Sequence, residues 1–238
     1  MKINLFKWKH YQSNIIIQCV RWYLKYALSY RDLSEIMQER GLLVNHSTIF
    51  IWVKQYSPVL NSNLRKHLRP TNDSWRMDET YIKSNGKWMY LYRAVDSKGN
   101  AIDFWLSKSR DKKSAKNFFR KALKFTHNQM SRVITTDKYN ATEIAILEEK
   151  YYGDLSCITE RRMIKHLNNI IEQDHRHIKK VTNHMLGFKS FQSACSIISG
   201  IEAMHMIHKG QVGSSNVTEE VALITSFLAL RKILMSKR

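Results

Sequence analysis

The stretch SWRMDETYIK, residues 74–83, decides the fold that we predict for this chain. It is rich in residues that favour β-strands, and the Asn85-Gly86 pair that follows it is the strongest short signal for a hairpin turn. Residues 88–96 supply a second strand, and residues 101–106 supply a third after another turn. The sequence therefore predicts an antiparallel meander of three strands.

The region after the meander alternates between helical and strand patterns. Apolar residues at positions 115, 118, 119, 122 and 123 have helical spacing. After this helix we predict a strand at 132–137, a helix at 142–150, a weak strand at 155–158, a long helix at 166–186 ended by Gly187, and a helix at 190–208. This order is that of the ribonuclease H-like fold, an α/β class with a mixed sheet in which the first and fourth strands are neighbours.

Three widely separated acids fall at corresponding points of this fold. Asp78 lies in the first strand, Asp137 ends the fourth strand, and Glu172 lies on the long helix. Neighbouring strands would place Asp78 and Asp137 side by side, and the helix would bring Glu172 across to them. Mg²⁺ prefers carboxylate oxygens, and a pair of ions can clamp the attacking and leaving oxygens of a phosphoryl transfer. We therefore predict that these three acids are catalytic and bind two Mg²⁺ (or Mn²⁺) ions.

The residues around these acids allow more than one interpretation. Arg176 and Lys179 follow Glu172 on the same helical stripe, where they could bind DNA phosphates; a solvated helix face of alternating charge is the alternative. Asp174 is expected to point away from the metal face, and His175 to touch a phosphate or reach the cleft edge. Glu79 adjoins Asp78 but points to the opposite face of a strand, so we expect it to have a structural role or to support the metal ligands rather than to bind metal itself.

The charge of the chain points to a polyanionic partner. The formal net charge is +19 over 238 residues, and lysines and arginines are spread along the whole sequence. A protein this basic repels itself unless it meets a polyanion, and nucleic acid is the first expectation, ahead of a membrane surface.

The cysteines and apolar segments indicate a cytoplasmic protein. Cys19, Cys157 and Cys195 are odd in number and far apart, which argues against a disulfide framework or a zinc knuckle. The first residues contain no signal-peptide core, and the apolar stretch 221–230 is too short to span a bilayer. We expect no association with a membrane.

The N-terminal third has the pattern of a helix-turn-helix. Helical spacing covers residues 14–27, 28–40 and 46–56. Ser29 can cap the second helix, and Gly41 can end it in a left-handed turn. Two short helices joined by a glycine-containing turn, after a first helix, are typical of DNA-binding domains.

In such a motif the third helix enters the major groove with its N-terminal end. The residues that would then face DNA are His46, Ser47, Thr48, Lys54 and Gln55. A plain three-helix packing unit is the alternative. Trp52 is expected in the core.

These patterns divide the chain into four segments. Residues 1–57 form the helix-turn-helix domain, and residues 58–73, which begin and nearly end with the prolines Pro58 and Pro70, form a basic linker. Residues 74–210 form the catalytic core. Residues 211–238 form a helical tail, with an amphipathic helix from about residue 218 that could serve self-association.

Several blocks resemble the transposases of the IS-six family of bacterial insertion sequences. In the core they are WRMDETYIK (75–83), YLYRA (90–94), TDK (136–138) and LNNIIEQDH (167–175). In the N-terminal third they are YALSYRD (26–32) and HSTI (46–49). The similarity extends from about residue 10 to residue 205.

This resemblance implies an Asp-Asp-Glu transposase with an integrase-type core similar to that of retroviral integrases. The acidic triad of the family maps onto Asp78, Asp137 and Glu172, and its basic residue on the same helix maps onto Lys179. Members of the family bind short terminal inverted repeats, act as homodimers or higher homo-oligomers on DNA, and join element ends to target DNA.

Two other classes of protein compete with this interpretation. A DNA-binding regulator without catalysis would use the helix-turn-helix but has no need of three converging carboxylates. A ribonuclease H-like nuclease that cuts without joining has no need of the helix-turn-helix. We therefore predict a transposase that cleaves and joins DNA strands.

Overall fold

The structure is a computed structural model that describes residues 2–3, 6, 10–125, 127–152, 155–185, 187–213, 216–229 and 231–232. Its contacts divide the chain into two compact units. The N-terminal unit comprises residues 1–68, 183–185 and 191–238, and the sheet unit comprises residues 69–182 and 186–190.

The helices and strands follow the predicted order, with differences at several boundaries. The strands are β1 Lys2–Ile3, β2 Ser74–Ser84, β3 Lys87–Asp96, β4 Ala101–Ser107, β5 Val133–Thr135, β6 Glu160–Arg162 and β7 Arg231–Lys232. The α-helices are α1 Ser13–Lys25, α2 Tyr30–Glu39, α3 His46–Leu64, α4 Lys112–Leu123, α5 Asn140–Tyr151, α6 Asn169–Thr182, α7 Phe191–His208 and α8 Val217–Ala229. Short 3₁₀ helices, Lys165–Asn168 and Asn183–Met185, precede and follow α6 in the chain.

The sheet unit contains a five-stranded mixed sheet in the order β4-β3-β2-β5-β6. β2, β3 and β4 pair antiparallel, whereas β5 runs parallel to β2 and β6 runs parallel to β5. The predicted meander and the pairing of the first and fourth predicted strands are confirmed, and the unit has the ribonuclease H-like arrangement.

The hairpin turn and the core explain why the meander forms. Asn85 and Gly86 both have positive φ, 50° and 74°, as a two-residue hairpin turn of the mirror-image type requires. On one face of the sheet Trp75, Met77 and Tyr92 are buried in a cluster with aromatic residues of α4. Burying each such side chain contributes about 1.5–3 kcal/mol, so this cluster fixes the register of β2.

Two predicted elements of the sheet unit are placed differently in the structure. The weak strand lies at Glu160–Arg162 and not at 155–158, where Leu155 is buried but unpaired in the sheet. The long helix predicted at 166–186 is split, because its start at Lys165–Asn168 and its end at Asn183–Met185 are 3₁₀ turns. Asparagines at these points favour caps over helix interiors. Leu186 lies outside the described residues.

The prediction that Gly187 ends the long helix is wrong, because α6 ends at Thr182; Gly187 has φ +86°. A Cβ at this position would lie 3.2 Å from the carbonyl oxygen of Lys83, so glycine permits a close approach to β2. The next residue pairs with the end of that strand: the Phe188 amide donates to the Lys83 carbonyl, and the Asn85 amide donates to the Phe188 carbonyl.

The helix-turn-helix caps are present as predicted. The Ser29 side chain accepts a hydrogen bond from the Asp32 amide, and the Asp32 carboxylate accepts one from the Ser29 amide, which makes a complete capping box. Gly41 has φ +75° after α2. Asn45 caps α3 by accepting from the Ser47 amide.

The linker predicted at residues 58–73 is partly wrong, because α3 continues through Pro58 to Leu64. Leu60 and Leu64 are fully buried and extend the apolar stripe of the helix, so packing outweighs the proline. Pro58 is exposed. Because proline has no backbone N–H, the helix lacks the hydrogen bond from this position to the carbonyl four residues earlier.

The predicted core segment 74–210 also differs from the observed units, because α7 packs in the N-terminal unit. A Cβ at Gly200 would lie 2.5 Å from Ser57 Oγ and 2.8 Å from Leu24 Cδ1, so glycine brings α7 against α3 and α1. α8 belongs to the same unit: Glu220 forms ion pairs of 2.7 Å with Arg21 and with Lys25. The tail helix predicted from about residue 218 is thus an integral part of the N-terminal unit.

None of the helices in the described ranges is long and apolar enough to cross a membrane.

Candidate active site

The strand register places the first two acids at the same level. The parallel pairing of β2 with β5 ends with Arg76 opposite Thr135, and Asp78 and Asp137 each lie two residues beyond that pair. A carboxylate oxygen of Asp78 lies within 4.8 Å of one of Asp137. Both side chains are partly accessible, with 22% and 41% of their surfaces exposed. They can therefore share a ligand at the edge of the sheet.

The third acid faces the same space. Glu172 lies in the first turn of α6 and lines a cavity of about 390 Å³ together with Asp78 and Asp137. The other lining residues are Thr136, Lys138, Met163 and Asn168. The three acids thus line one cavity, although Glu172 is not part of the group of acids whose oxygens lie within 4.8 Å of one another.

Glu79 is a fourth acid of this centre. A carboxylate oxygen of Glu79 lies within 4.8 Å of the oxygens of Asp78 and Asp137, although strand alternation sends it to the other face of β2. Its pKa is raised to about 7, mainly because burial disfavours the charged form; Arg110 opposes this shift, and Asp137 and Asp78 add to it. It contacts Arg110, and its distance from the oxygens of Asp78 and Asp137 also allows it to share a metal ion with them.

Arg110 was not among the predicted site residues. Its Nη2 lies 3.2 Å from Glu79 Oε2 and 3.2 Å from Asp137 Oδ2. Its guanidinium carbon stacks 3.9 Å from the ring centroid of Tyr139, whose hydroxyl donates to the Arg110 carbonyl. Burial alone would lower the pKa of Arg110, but Glu79 and Asp137, with a smaller contribution from Tyr81, raise it overall. No local pattern marks an arginine in the loop before α4, so only the fold reveals it.

On the face of β2 that carries Asp78, opposite to Glu79, a buried chain of polar groups contacts the Asp78 carboxylate. His175 Nε2 lies 3.2 Å from Asp78 Oδ2, and His175 Nδ1 lies 3.4 Å from a guanidinium nitrogen of Arg93. Arg93 in turn forms an ion pair of 2.6 Å with Asp174. Because a guanidinium can only donate, Nδ1 accepts and Nε2 carries the proton that it donates to Asp78.

The positions of Asp174 and His175 refine the predictions made for them. Asp174 does point away from the cavity, and it is buried against Arg93 instead of being solvated. His175 reaches an acid of the centre and not its outer edge, and it is 5% exposed. Helix geometry alone could not show this, because the partner strand is distant in sequence.

The basic and polar residues predicted to bind DNA are largely accessible. Glu172, Arg176 and Lys179 are all exposed on α6. In the helix-turn-helix, His46, Ser47, Lys54 and Gln55 are exposed and Thr48 is half-buried. Trp52 is 4% exposed, as expected for a core residue.

Comparison with known proteins shows the family to which the chain belongs. Residues 72–211 match the family model described as "DDE domain". The chain is 40% identical over 211 residues to the transposase for insertion sequence-like element IS431mec of Staphylococcus aureus (strain N315), covering 87% of this chain and 90% of that protein. The chain belongs to the IS-six family of insertion-sequence transposases.

Two further proteins are similar to this transposase. The transposase for insertion sequence element IS257 in transposon Tn4003 of Staphylococcus aureus is 40% identical, again over 87% of this chain and 90% of that protein. Among solved structures, a chain of the simian T-cell lymphotropic virus intasome in complex with PP2A regulatory subunit B56 gamma is similar with a TM-score of 0.44. It is 13% identical and covers 63% of this chain and 59% of that chain.

The residues of the transposase cavity are suited to a hard divalent cation. Its acidic side chains are carboxylates, which Mg²⁺ and Mn²⁺ prefer, and no cysteine is among the described residues that line it. Asn168 adds a neutral oxygen: its Oδ1 is buried, and within the described residues it has no hydrogen-bond partner. A buried amide oxygen on the same cavity as the three carboxylates fits the oxygen ligands that a hard cation prefers.

Proposed function

We propose that this transposase binds the terminal inverted repeats of its insertion sequence and cleaves and joins DNA strands at the cavity between β2, β5 and α6. The observation that carries the proposal is the convergence of Asp78, Asp137 and Glu172 on one cavity. Their positions are far apart in the sequence, and a non-catalytic regulator has no use for this arrangement.

In this proposal Asp78, Asp137 and Glu172 hold two Mg²⁺ (or Mn²⁺) ions. When bound, the ions supply Lewis-acid stabilisation of the attacking and leaving oxygens of the phosphodiester. Asn168 offers a further oxygen toward the same cavity.

The side chains around the acids have separate tasks. The Nε2–H of His175 orients the Asp78 carboxylate, and Arg110 balances the charge of Glu79 and Asp137. Arg176 and Lys179, four and seven residues after Glu172, hold the phosphates of the transferring strand. Water first attacks the phosphodiester at the element end and frees a 3′-hydroxyl, which then attacks target DNA.

The N-terminal unit supplies recognition of the element ends. The exposed N-terminal part of α3 presents His46, Ser47 and Thr48 to the major groove, with Lys54 and Gln55 further along the helix. The net charge of +19 supports binding to two DNA partners, the ends and the target. We infer that the protein acts on nucleoid DNA in the bacterial cytoplasm as a homodimer or higher homo-oligomer.

The experiment is a strand-joining assay with purified full-length protein, Mg²⁺ and labelled element ends. Asp78→Asn, Asp137→Asn and Glu172→Gln should each abolish joining while end binding persists. Asp73→Asn and Glu160→Gln, which change half-exposed or exposed carboxylates elsewhere in the sheet unit, are the matched controls and should join normally. Near-normal joining by any one of the three site variants contradicts the proposal.

A further inference from the structure

The β2–β3 hairpin presents aromatic rings to solvent beyond the candidate active site. Tyr81 is 49% exposed and Trp88 is 61% exposed, and Tyr90 is partly exposed beside them. We call Tyr81, Trp88 and Tyr90 the aromatic strip. Trp88 lies beyond the buried cluster on this face, which reaches only as far as Tyr90.

The strip is one continuous surface on one face of the sheet. Tyr81 pairs with Tyr90 across the strands, and Lys83 pairs with Trp88, so all four side chains share a face. The ring centroids of Tyr81 and Tyr90 are 5.4 Å apart, and those of Tyr81 and Trp88 are 6.5 Å apart. The Lys83 ammonium lies 6.0 Å from the centroid of the Trp88 ring.

The strip begins one strand pair beyond Glu79, on the face of β2 opposite to Asp78. The next pair on the same face is Glu79 with Tyr92, and Glu79 contacts Arg110. From that pair to the Lys83–Trp88 pair there are four residues, or about 14 Å along the strand. This length corresponds to about four nucleotides of one strand of B-form DNA.

We propose that the aromatic strip binds unpaired DNA near the cleavage site, with a base stacked on Trp88 and Tyr81 and with Lys83 on a phosphate. The proposal rests on the proposed function insofar as DNA is the substrate. Ring faces can stack only on bases that have left the duplex, and such stacking tolerates any base sequence.

The charges of the hairpin favour nucleic acid over a second copy of this chain as the occupant. Residues 80–91 contain Lys83 and Lys87 and no acid. DNA complements both features of the hairpin, because its phosphates match the lysine charge and its bases match the exposed rings.

The test compares binding of two fluorescent duplexes to the full-length protein in metal-free buffer. One duplex is blunt, and the other has the same sequence with a five-nucleotide single-stranded end. Wild type should prefer the second duplex. Trp88→Ala should lower that preference by about tenfold, the loss expected for one stacked base, and Trp88→Tyr should retain most of it. Tyr151→Ala, which removes a ring that is 86% exposed on α5, is the control and should change nothing.

Each outcome decides the proposal. Equal loss of affinity for both duplexes, or no loss, in Trp88→Ala overturns it. So does a change from oligomer to monomer in Trp88→Ala with the preference intact, since the strip would then serve self-association. Binding is measured without metal, so it does not depend on strand joining. If wild type fails to join strands, the proposed function is refuted, but the binding comparison still tests the role of the aromatic strip.

Discussion

His175 Nε2 lies 3.2 Å from Asp78 Oδ2, and this contact ties helix α6 to strand β2 at the candidate active site. Behind His175, Arg93 and Asp174 form an ion pair of 2.6 Å with almost no exposed surface. The direction of these hydrogen bonds follows from the chemistry of arginine, which cannot accept: Arg93 donates to His175 Nδ1, and His175 Nε2 donates to Asp78. The acid of the strand is therefore oriented by groups that are themselves held rigidly.

Replacing His175 should weaken metal binding and strand joining without abolishing either. His175→Ala is expected to lower strand joining and Mn²⁺ affinity by about 10- to 100-fold, as removal of an outer partner of a ligand commonly does. His175→Gln, which keeps an N–H donor, should recover part of both. Mn²⁺ binding is measured by electron paramagnetic resonance. Equal Mn²⁺ affinity in wild type and His175→Ala would show that the contact does not position Asp78.

The sequence could predict this centre only in part. The turn at Asn85-Gly86 is a local signal, and strand order then aligns Asp78 with Asp137. Arg110 has no comparable signal, because its partners Glu79 and Asp137 come from other strands. Packing explains two features that the local patterns did not predict. Burial of Leu60 stabilises α3 beyond Pro58, and the small Gly200 allows α7 to pack in the N-terminal unit.

Glu79 should make stability depend on pH. Its pKa is raised to about 7 in the fold, from an ordinary value of 4.5, so the native state disfavours the ionised form. This cost is present above pH 7 and disappears as the pH falls from 7 to below 4.5.

Glu79→Gln should therefore be more stable than wild type at pH 8 in metal-free buffer, by up to about 3 kcal/mol. The difference should shrink at pH 5. Urea unfolding at the two pH values provides the measurement. A difference that is the same at both pH values, or that grows on acidification, would contradict the assigned direction of the shift.

Asn168 should matter for activity and little for stability. Asn168 lines the cavity, and its buried Oδ1 has no hydrogen-bond partner in the part of the chain that the structure describes. Removing an unsatisfied group costs little, so Asn168→Ala should change the free energy of unfolding by less than about 1 kcal/mol. Joining should fall at least tenfold. A variant that joins at the wild-type rate would exclude a role for this oxygen.

The capping box of α2 should contribute measurably to the N-terminal unit. Ser29→Ala removes the acceptor of the Asp32 amide and should cost about 1 kcal/mol of unfolding free energy. Ser29→Thr keeps the oxygen and is the control, with most of the stability retained. Chemical unfolding followed by circular dichroism measures both. If alanine and threonine behave alike, the cap is not the source of the stability.

The most direct test of the central claim maps the cation site on the polypeptide. With Fe²⁺ in place of Mg²⁺, hydroxyl radicals cut the chain near the bound ion, and mass spectrometry reads the fragments. The account predicts cuts near residues 78, 137 and 172 together, all suppressed in Asp78→Asn. Cuts near residue 78 without any near residue 172, or cuts that persist in Asp78→Asn, would contradict the claim that these three acids form one metal site.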